Sequence, residues 1–314
     1  MSEGALFKKM TLIGAGLIGS SIAHAARRGH LVEHIAAYIP RAETREKAAK
    51  AGFAHSLHAE LQPALDGADL VVLATPIGIY AELAKQMAPH LKKGAILTDV
   101  GSVKAVVIRD VGPHVPEGVH FIPGHPVAGT EQSGPDAGFA ELFDGRWCIL
   151  TPPLGTDAAA IGKLENFWRR LGSDVEVMDP KHHDLVMAIV SHVPHLIAYN
   201  IVGTAADLET VTQSEVIKFS ASGFRDFTRI AASDPTMWRD IFLNNRDAVL
   251  EMLGRFNEDL AALQRAVRWG DGEALFNLFT RTRAIRRSII QAGQDTAAPN
   301  FGRSGNSGSS SGGS

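Results

Sequence analysis

The residues able to do chemistry in this chain fall at four places. The first is "IGAGLIGSS", where Gly14, Gly16 and Gly19 have G-x-G-x-x-G spacing. Gly14 permits a tight turn, Gly16 lets the backbone approach a pyrophosphate, and Gly19 lets a helix pack closely on the preceding strand. The helix opening there offers amide donors and the positive end of its dipole to phosphates. Such a motif is weak alone. Its place between an apolar strand and a helix, near the start of a βαβ pattern, marks a dinucleotide site.

The second place is the slot for the adenosine ribose. An acidic residue normally stands at the end of the second strand, ~20 or more residues onward. In "AAYIPRAETREK" that slot holds Ile39, followed by Pro40 and Arg41. Isoleucine cannot accept hydrogen bonds from ribose hydroxyls, whereas Arg41 and Arg45 suit a 2′-phosphate. The expected cofactor is NAD or NADP, with a lean toward an NADP-capable site. The alternative is that Arg41 stacks on adenine and Arg45 is solvated.

The third place is the pair "TDVGSVK" and "GHPVAGTEQSGP", each following a strand. Strand C-terminal ends face the ligand crevice in a doubly wound fold, so Ser102, Lys104, His125, Thr130 and Glu131 are expected beside the nicotinamide. His125, constrained between glycine and proline, is the acid/base candidate. The fourth place is "SHVPHLIAYN" with "SGFRDFTRIAASDPTMWRDIF". His192 and His195 share one helix face. No carboxylate–histidine pattern accompanies them, so no metal is expected; core histidines are the plainer alternative. Arg225 and Arg229 sit in an apolar stretch, where an arginine needs a carboxylate from the protein or from a ligand. Asp226 is a ready partner for Arg225.

The elements that must position these residues follow from hydrophobic pattern. From Lys9 to about Met178, short apolar strands alternate with helices: "MTLIGA", "HIAAYI", "ADLVVLAT", "GAILTDV" and "HFIPG", with "RWCILTP" and "DVEVMD" completing the sheet. Strands without a polar face, separated by helices, indicate a parallel sheet covered on both sides. After Asp179, an N-cap followed by Pro180, the pattern is helical throughout. The expected fold is α/β: an N-terminal doubly wound Rossmann-type domain, residues 1–178, then an all-α C-terminal domain, 179–293. Several of its helices are apolar on more than one face, which predicts a homodimer. Residues 294–314 read as a flexible tail ending in the low-complexity "SGNSGSSSGGS", of the kind used as an artificial linker.

Composition bounds the rest. A chain of 314 residues suggests two domains. A net charge of −3 with mixed signs suggests neither a nucleic-acid nor a membrane partner. The lone cysteine, Cys148, excludes an intramolecular disulfide and fits a reducing cytoplasm. Lys8 and Lys9 before an apolar run imitate a signal peptide. The glycine spacing explains that stretch as a buried strand entering a helix, and it is too short to span a bilayer.

Taken together, "GLIGSS", "DVGSVK", "HPVAGTEQSGPDAGFAELF", "SHVPHLIAY" and "SGFRDFTRIAASDPTMWRDI" resemble the prephenate/arogenate (cyclohexadienyl) dehydrogenase family, in the family's order over roughly residues 8–290. The last three are far more specific than the glycine loop. The resemblance implies oxidative decarboxylation of prephenate, arogenate or both, to 4-hydroxyphenylpyruvate or tyrosine, with hydride transfer to NAD(P) in tyrosine biosynthesis. It implies that His125 accepts the proton of the substrate's C4 hydroxyl, and that Ser102 orients that histidine. Arg229 would grip a substrate carboxylate. Ser191, His192, His195, Thr130 and Glu131 would line the substrate pocket, with Glu131 a candidate partner for the arogenate ammonium. The cofactor set would be Gly14, Gly16, Leu17, Ile18, Gly19, Ile39, Arg41, Thr75, Pro76 and Gly101. An unperturbed histidine titrates near ~6.5, so activity is expected to rise with pH through that region. Members using NAD would carry an acid at Ile39, as in "YDPR"; the isoleucine reads as an engineered change or a natural cofactor shift. The competing readings are another two-domain dehydrogenase, of the β-hydroxyacid or imine reductase type, and a non-catalytic cofactor-binding sensor.

Overall fold

Six strands with scarcely a polar face pair in parallel: β1 (Phe7–Ile13), β2 (Val32–Tyr38), β3 (Ser56–His58), β4 (Leu70–Leu73), β5 (Ile96–Asp99) and β6 (His120–Phe121). Their order in the sheet, β3-β2-β1-β4-β5-β6, is that of a dinucleotide-binding fold. One apolar layer, including Leu12, Ile35, Phe53 and Trp168, covers one face, and a second, including Val71, Tyr80, Met87 and Val107, covers the other. The computed structural model describes residues 4–130, 132–207, 215, 218 and 221–291. Residues 1–250 form one compact unit, and a second begins at Glu251.

The last strands depart from the sequence expectation. β7 (Gly124–Pro126), β8 (Trp147–Leu150) and β9 (Asp174–Val177) form a separate sheet, with β7 antiparallel and β9 parallel to β8, rather than completing the large one. The reason is local. Pro123 lacks a donor, and the backbone groups of Gly124 are taken by side chains: its N–H donates to Asp99 Oδ1 at 3.2 Å and its carbonyl accepts from Lys104 Nζ at 2.8 Å. The ladder therefore ends at β6.

No strand follows Val177 among the described residues. Asp179 accepts from the amides of Lys181 and His182, and so starts a helix at Pro180 as the sequence predicts. That helix comprises α7 (Pro180–Met187), a π turn (Ala188–His192) and α8 (Val193–Ala206). Pro194 has no N–H to return to the Val190 carbonyl, and its ring crowds that carbonyl, so the helix widens there. By length and composition Pro180–Ala206 could cross a membrane. Its His183, Asp184 and His192 are nevertheless buried against protein, while Ile189 and Val190 are exposed. α9 (Ser222–Thr228) and a 3-10 turn (Arg229–Ala232) follow. The helical stretch from Pro235 to Trp269 comprises two helices, α10 (Pro235–Asn244) and α11 (Arg246–Trp269), broken at Asn245. The last helix, α12, spans Gly272–Gln291.

Candidate active site

The glycine loop meets a geometric demand at each position. Gly14 has φ +103°, and a Cβ there would lie 2.7 Å from the Ala74 carbonyl oxygen. A Cβ on Gly19 would approach the Gly14 carbonyl oxygen at 2.9 Å, so the helix can sit this close to the strand only with glycine. Gly16 faces open space, and the helix it precedes, α1 (Leu17–Arg28), has no side-chain cap and no acid in its first turn. Its amides are thus free to receive a phosphate. Leu17 and Ile18 form that first turn. Thr75 and Pro76 follow β4 and Gly101 follows β5, at the same edge of the sheet. Thr75 Oγ1 is buried without a hydrogen-bond partner. An uncapped helix start, an open glycine cradle and an orphaned hydroxyl fit a dinucleotide. The nicotinamide would lie toward Gly101, and when bound it supplies a hydride acceptor.

At the ribose slot, Ile39 turns its side chain into the core, 3% exposed. Its carbonyl, with that of Pro40, accepts from Arg45 Nη1 at 2.8 and 3.1 Å. Arg45 therefore braces the turn, rather than being simply solvated or standing clear for a phosphate. Arg41 is exposed at the start of α2 (Ala42–Ala51).

At the loop that follows β5 lies a buried polar network. Asp99 and Lys104 form an ion pair at 2.5 Å with both side chains fully buried. Asp99 also accepts from the Gly101 amide at 2.7 Å. Lys104 thus braces the loop and the start of β7 and does not line the pocket. Asp184 accepts from the backbone amides of Lys104 (2.7 Å) and Ala105 (2.9 Å), capping α5 (Ala105–Val111) from another element. Asp184 Oδ1 lies 2.8 Å from His183 Nδ1, and His183 Nε2 lies 2.8 Å from His125 Nδ1.

This chain fixes a tautomer. A carboxylate only accepts, so His183 carries its proton on Nδ1 and offers a lone pair at Nε2. His125 Nδ1 must then donate to it, which leaves the lone pair of His125 on Nε2. Burial holds the His125 pKa well below 6.5, with His183, Lys104 and His192 acting in the same sense. The protein thus presents a neutral, oriented base. The ring is therefore not the unperturbed histidine, titrating near ~6.5, that the sequence suggested.

His192 is buried and its pKa is lowered to about 4, chiefly by burial. His195 Nδ1 donates to the Ser191 carbonyl at 2.8 Å, and the His195 ring stacks on Trp238 at 3.6 Å. His192 meets the same indole edge to face, so Trp238 holds both histidines. Arg229, at the start of the 3-10 turn, is exposed and near enough to His195 to help lower its pKa, after burial. Ser102 is half-buried on the β5–α5 loop. Thr130 Oγ1 accepts from the Gln132 amide at 3.2 Å and so serves its own turn. Glu131 lies outside the described residues. Arg225 pairs with Asp226 at 3.3 Å on the surface, as a structural pair would. No cluster of metal-ligating side chains occurs among the described residues. Sequence reasoning passed over His183, Asp184 and Asn245. The available signal was "HHD", three polar residues opening a largely apolar helix.

Fold and site define a nicotinamide-dependent dehydrogenase whose Rossmann half is followed by helices. Residues 22–177 match the nucleotide-binding domain of prephenate dehydrogenase, and residues 179–281 match its dimerization domain. The chain belongs to the prephenate dehydrogenase family. It is 39% identical to the cyclohexadienyl dehydrogenase of Zymomonas mobilis over 90% of this chain and 97% of that protein. It is 33% identical to the prephenate dehydrogenase of Bacillus subtilis, over 92% and 78%. Its fold superposes on prephenate dehydrogenase from Aquifex aeolicus, solved with hydroxyphenyl propionate and NAD+, with a TM-score of 0.83, 33% identity and coverage of 90% and 98%. Arogenate dehydrogenase from Synechocystis gives a TM-score of 0.76 at 27% identity, covering 90% and 99%. None of these relatives favours the hydroxyacid dehydrogenase, imine reductase or sensor readings.

Proposed function

We propose that the enzyme oxidatively decarboxylates prephenate, arogenate or both, delivering hydride to NAD or NADP. The observation that supports this is the buried chain from Asp184 through His183 to His125, which leaves a lone pair on His125 Nε2 free to serve as the base. In this reading the substrate's C4 hydroxyl donates to that nitrogen. As hydride leaves C4 and carbon dioxide leaves C1, the ring becomes aromatic and His125 holds the proton. Aromatisation supplies driving force, so the protein mainly orients the ring and receives the proton. Ser102 orients the hydroxyl, and Arg229 grips a carboxylate through its planar fork. His192, His195, Ser191, Thr130 and Glu131 complete the pocket. Glu131 is the residue chosen to discriminate the arogenate ammonium from the prephenate ketone.

The cofactor set is Gly14, Gly16, Leu17, Ile18, Gly19, Ile39, Arg41, Thr75, Pro76 and Gly101. Use of NADP is supported by the apolar Ile39 and by the exposed Arg41 beside it. The division at residues 178 and 179 is supported by the two matched domains. A homodimer is supported by the matched dimerization domain and by exposed apolar side chains such as Val267, Trp269 and Phe276. A cytoplasmic location is supported by the single cysteine, Cys148, buried and free. The deciding experiment measures reduction of NAD and of NADP with each substrate, alongside carbon dioxide release. Cofactor reduction with stoichiometric carbon dioxide is expected; no reduction with either substrate refutes the proposal.

A further inference from the structure

Asp184 feeds a second chain besides the one ending at His125. Its backbone carbonyl accepts from Asn245 Nδ2 at 2.8 Å, and the same nitrogen lies 3.0 Å from His192 Nδ1. Asn245 is 5% exposed and His192 1%, so the arrangement is shielded from water. A carbonyl oxygen can only accept, so the amide group facing it must be the NH2. An NH2 can only donate, so His192 Nδ1 must accept. The ring proton of neutral His192 is therefore on Nε2. That nitrogen is buried and has no hydrogen-bond partner. The edge-to-face contact with Trp238, at 6.1 Å between centroids, is a weak substitute for one. An unpaired buried donor is costly and needs an acceptor that arrives from outside.

We infer that Asn245 is a positioning residue that locks His192 as the Nε2–H tautomer, so that His192 donates a hydrogen bond to an oxygen of the substrate. The inference rests on the proposed function for the identity of that substrate. Asp184 is then the common root of two arms. Its side chain leads through His183 to an acceptor on His125, and its carbonyl leads through Asn245 to a donor on His192. A hydroxyl whose carbon is losing hydride matches both arms: it gives up its proton to one and keeps a lone pair for the other. The break between α10 and α11 falls at Asn245, which lets its side chain turn inward toward α7 and the π turn.

The test begins with the wild-type enzyme labelled with 15N-histidine. Two-bond proton–nitrogen NMR spectra, with His192 assigned through the missing signals of His192→Gln, report which ring nitrogen carries the proton. A protonated Nε2 and a bare Nδ1 are expected; a proton on Nδ1 overturns the inference without any variant at Asn245. In Asn245→Asp the carboxylate can only accept. The tautomer should reverse, and KM for the cyclohexadienol should rise about tenfold while kcat changes less, the effect of one lost hydrogen bond. Should Asn245→Asp fold with an unchanged tautomer or an unchanged KM, the inference fails. If the wild type oxidises neither prephenate nor arogenate, the proposed function fails and the tautomer measurement stands by itself. If it oxidises them with the proton on Nδ1, only this inference falls.

Discussion

Lowering the pH from about 7.5 to about 5 probes the buried histidines through stability. In the folded protein burial holds the His192 pKa at about 4. In an unfolded chain the value is ~6.5. Within that window the unfolded chain binds a proton that the folded one refuses, so stability rises with pH there. The contribution is complete above ~6.5 and is lost as pH falls toward the folded value. The gap of roughly 2.5 units is worth at most ~3 kcal/mol, of which ~2 kcal/mol is lost by about pH 5. Against a typical total of about 5–15 kcal/mol, that is large enough to measure. His125 and His183 are lowered in the same direction and add to it. Urea denaturation of the wild type and of His192→Asn, at one protein concentration and both pH values, isolates the term. The wild type should lose ~2 kcal/mol more than the variant on acidification. Parallel losses would refute the reasoning, as would an NMR titration in which His192 protonates with a midpoint near ~6.5.

Three further outcomes are expected. The acid limb of kcat/KM should fall at a pH below ~6.5, because burial lowers the His125 pKa; a midpoint at or above that value contradicts a neutral buried base. Arg229→Ala should raise KM about tenfold or more with a smaller change in kcat, and unaltered substrate affinity would remove it from the carboxylate grip. Ile39→Asp should shift the ratio of NAD to NADP efficiency toward NAD, at some cost in thermal stability because the side chain is in the core. A ratio that does not move means the ribose binds elsewhere.

The glycine loop was legible because its constraints are local. A positive φ at Gly14 and a close approach at Gly19 are properties of a few adjacent residues. The parallel sheet was legible because β1, β2 and β4 lack a polar face. The second sheet was not, since β7 has only three residues and is set by side chains of Asp99 and Lys104, some twenty or more positions earlier. His125 stood out through its neighbours Gly124 and Pro126. Its supporting residues did not, because His183 and Asp184 gain meaning only when α7 lies against the β5–α5 loop. Asn245 reads in sequence as one more polar residue of a long helix. Only the break after α10 gives it a different task.

The cap that Asp184 places on α5 has a mechanical consequence. It joins the cofactor-carrying half of residues 1–250 to the helix that carries His192 and His195. Parting the two there would strand two backbone amides and the His183 ring at once, each costing on the order of 1–3 kcal/mol. That seam behaves as a rivet. The seam therefore fixes where the α7 histidine, His183, meets the His125 ring.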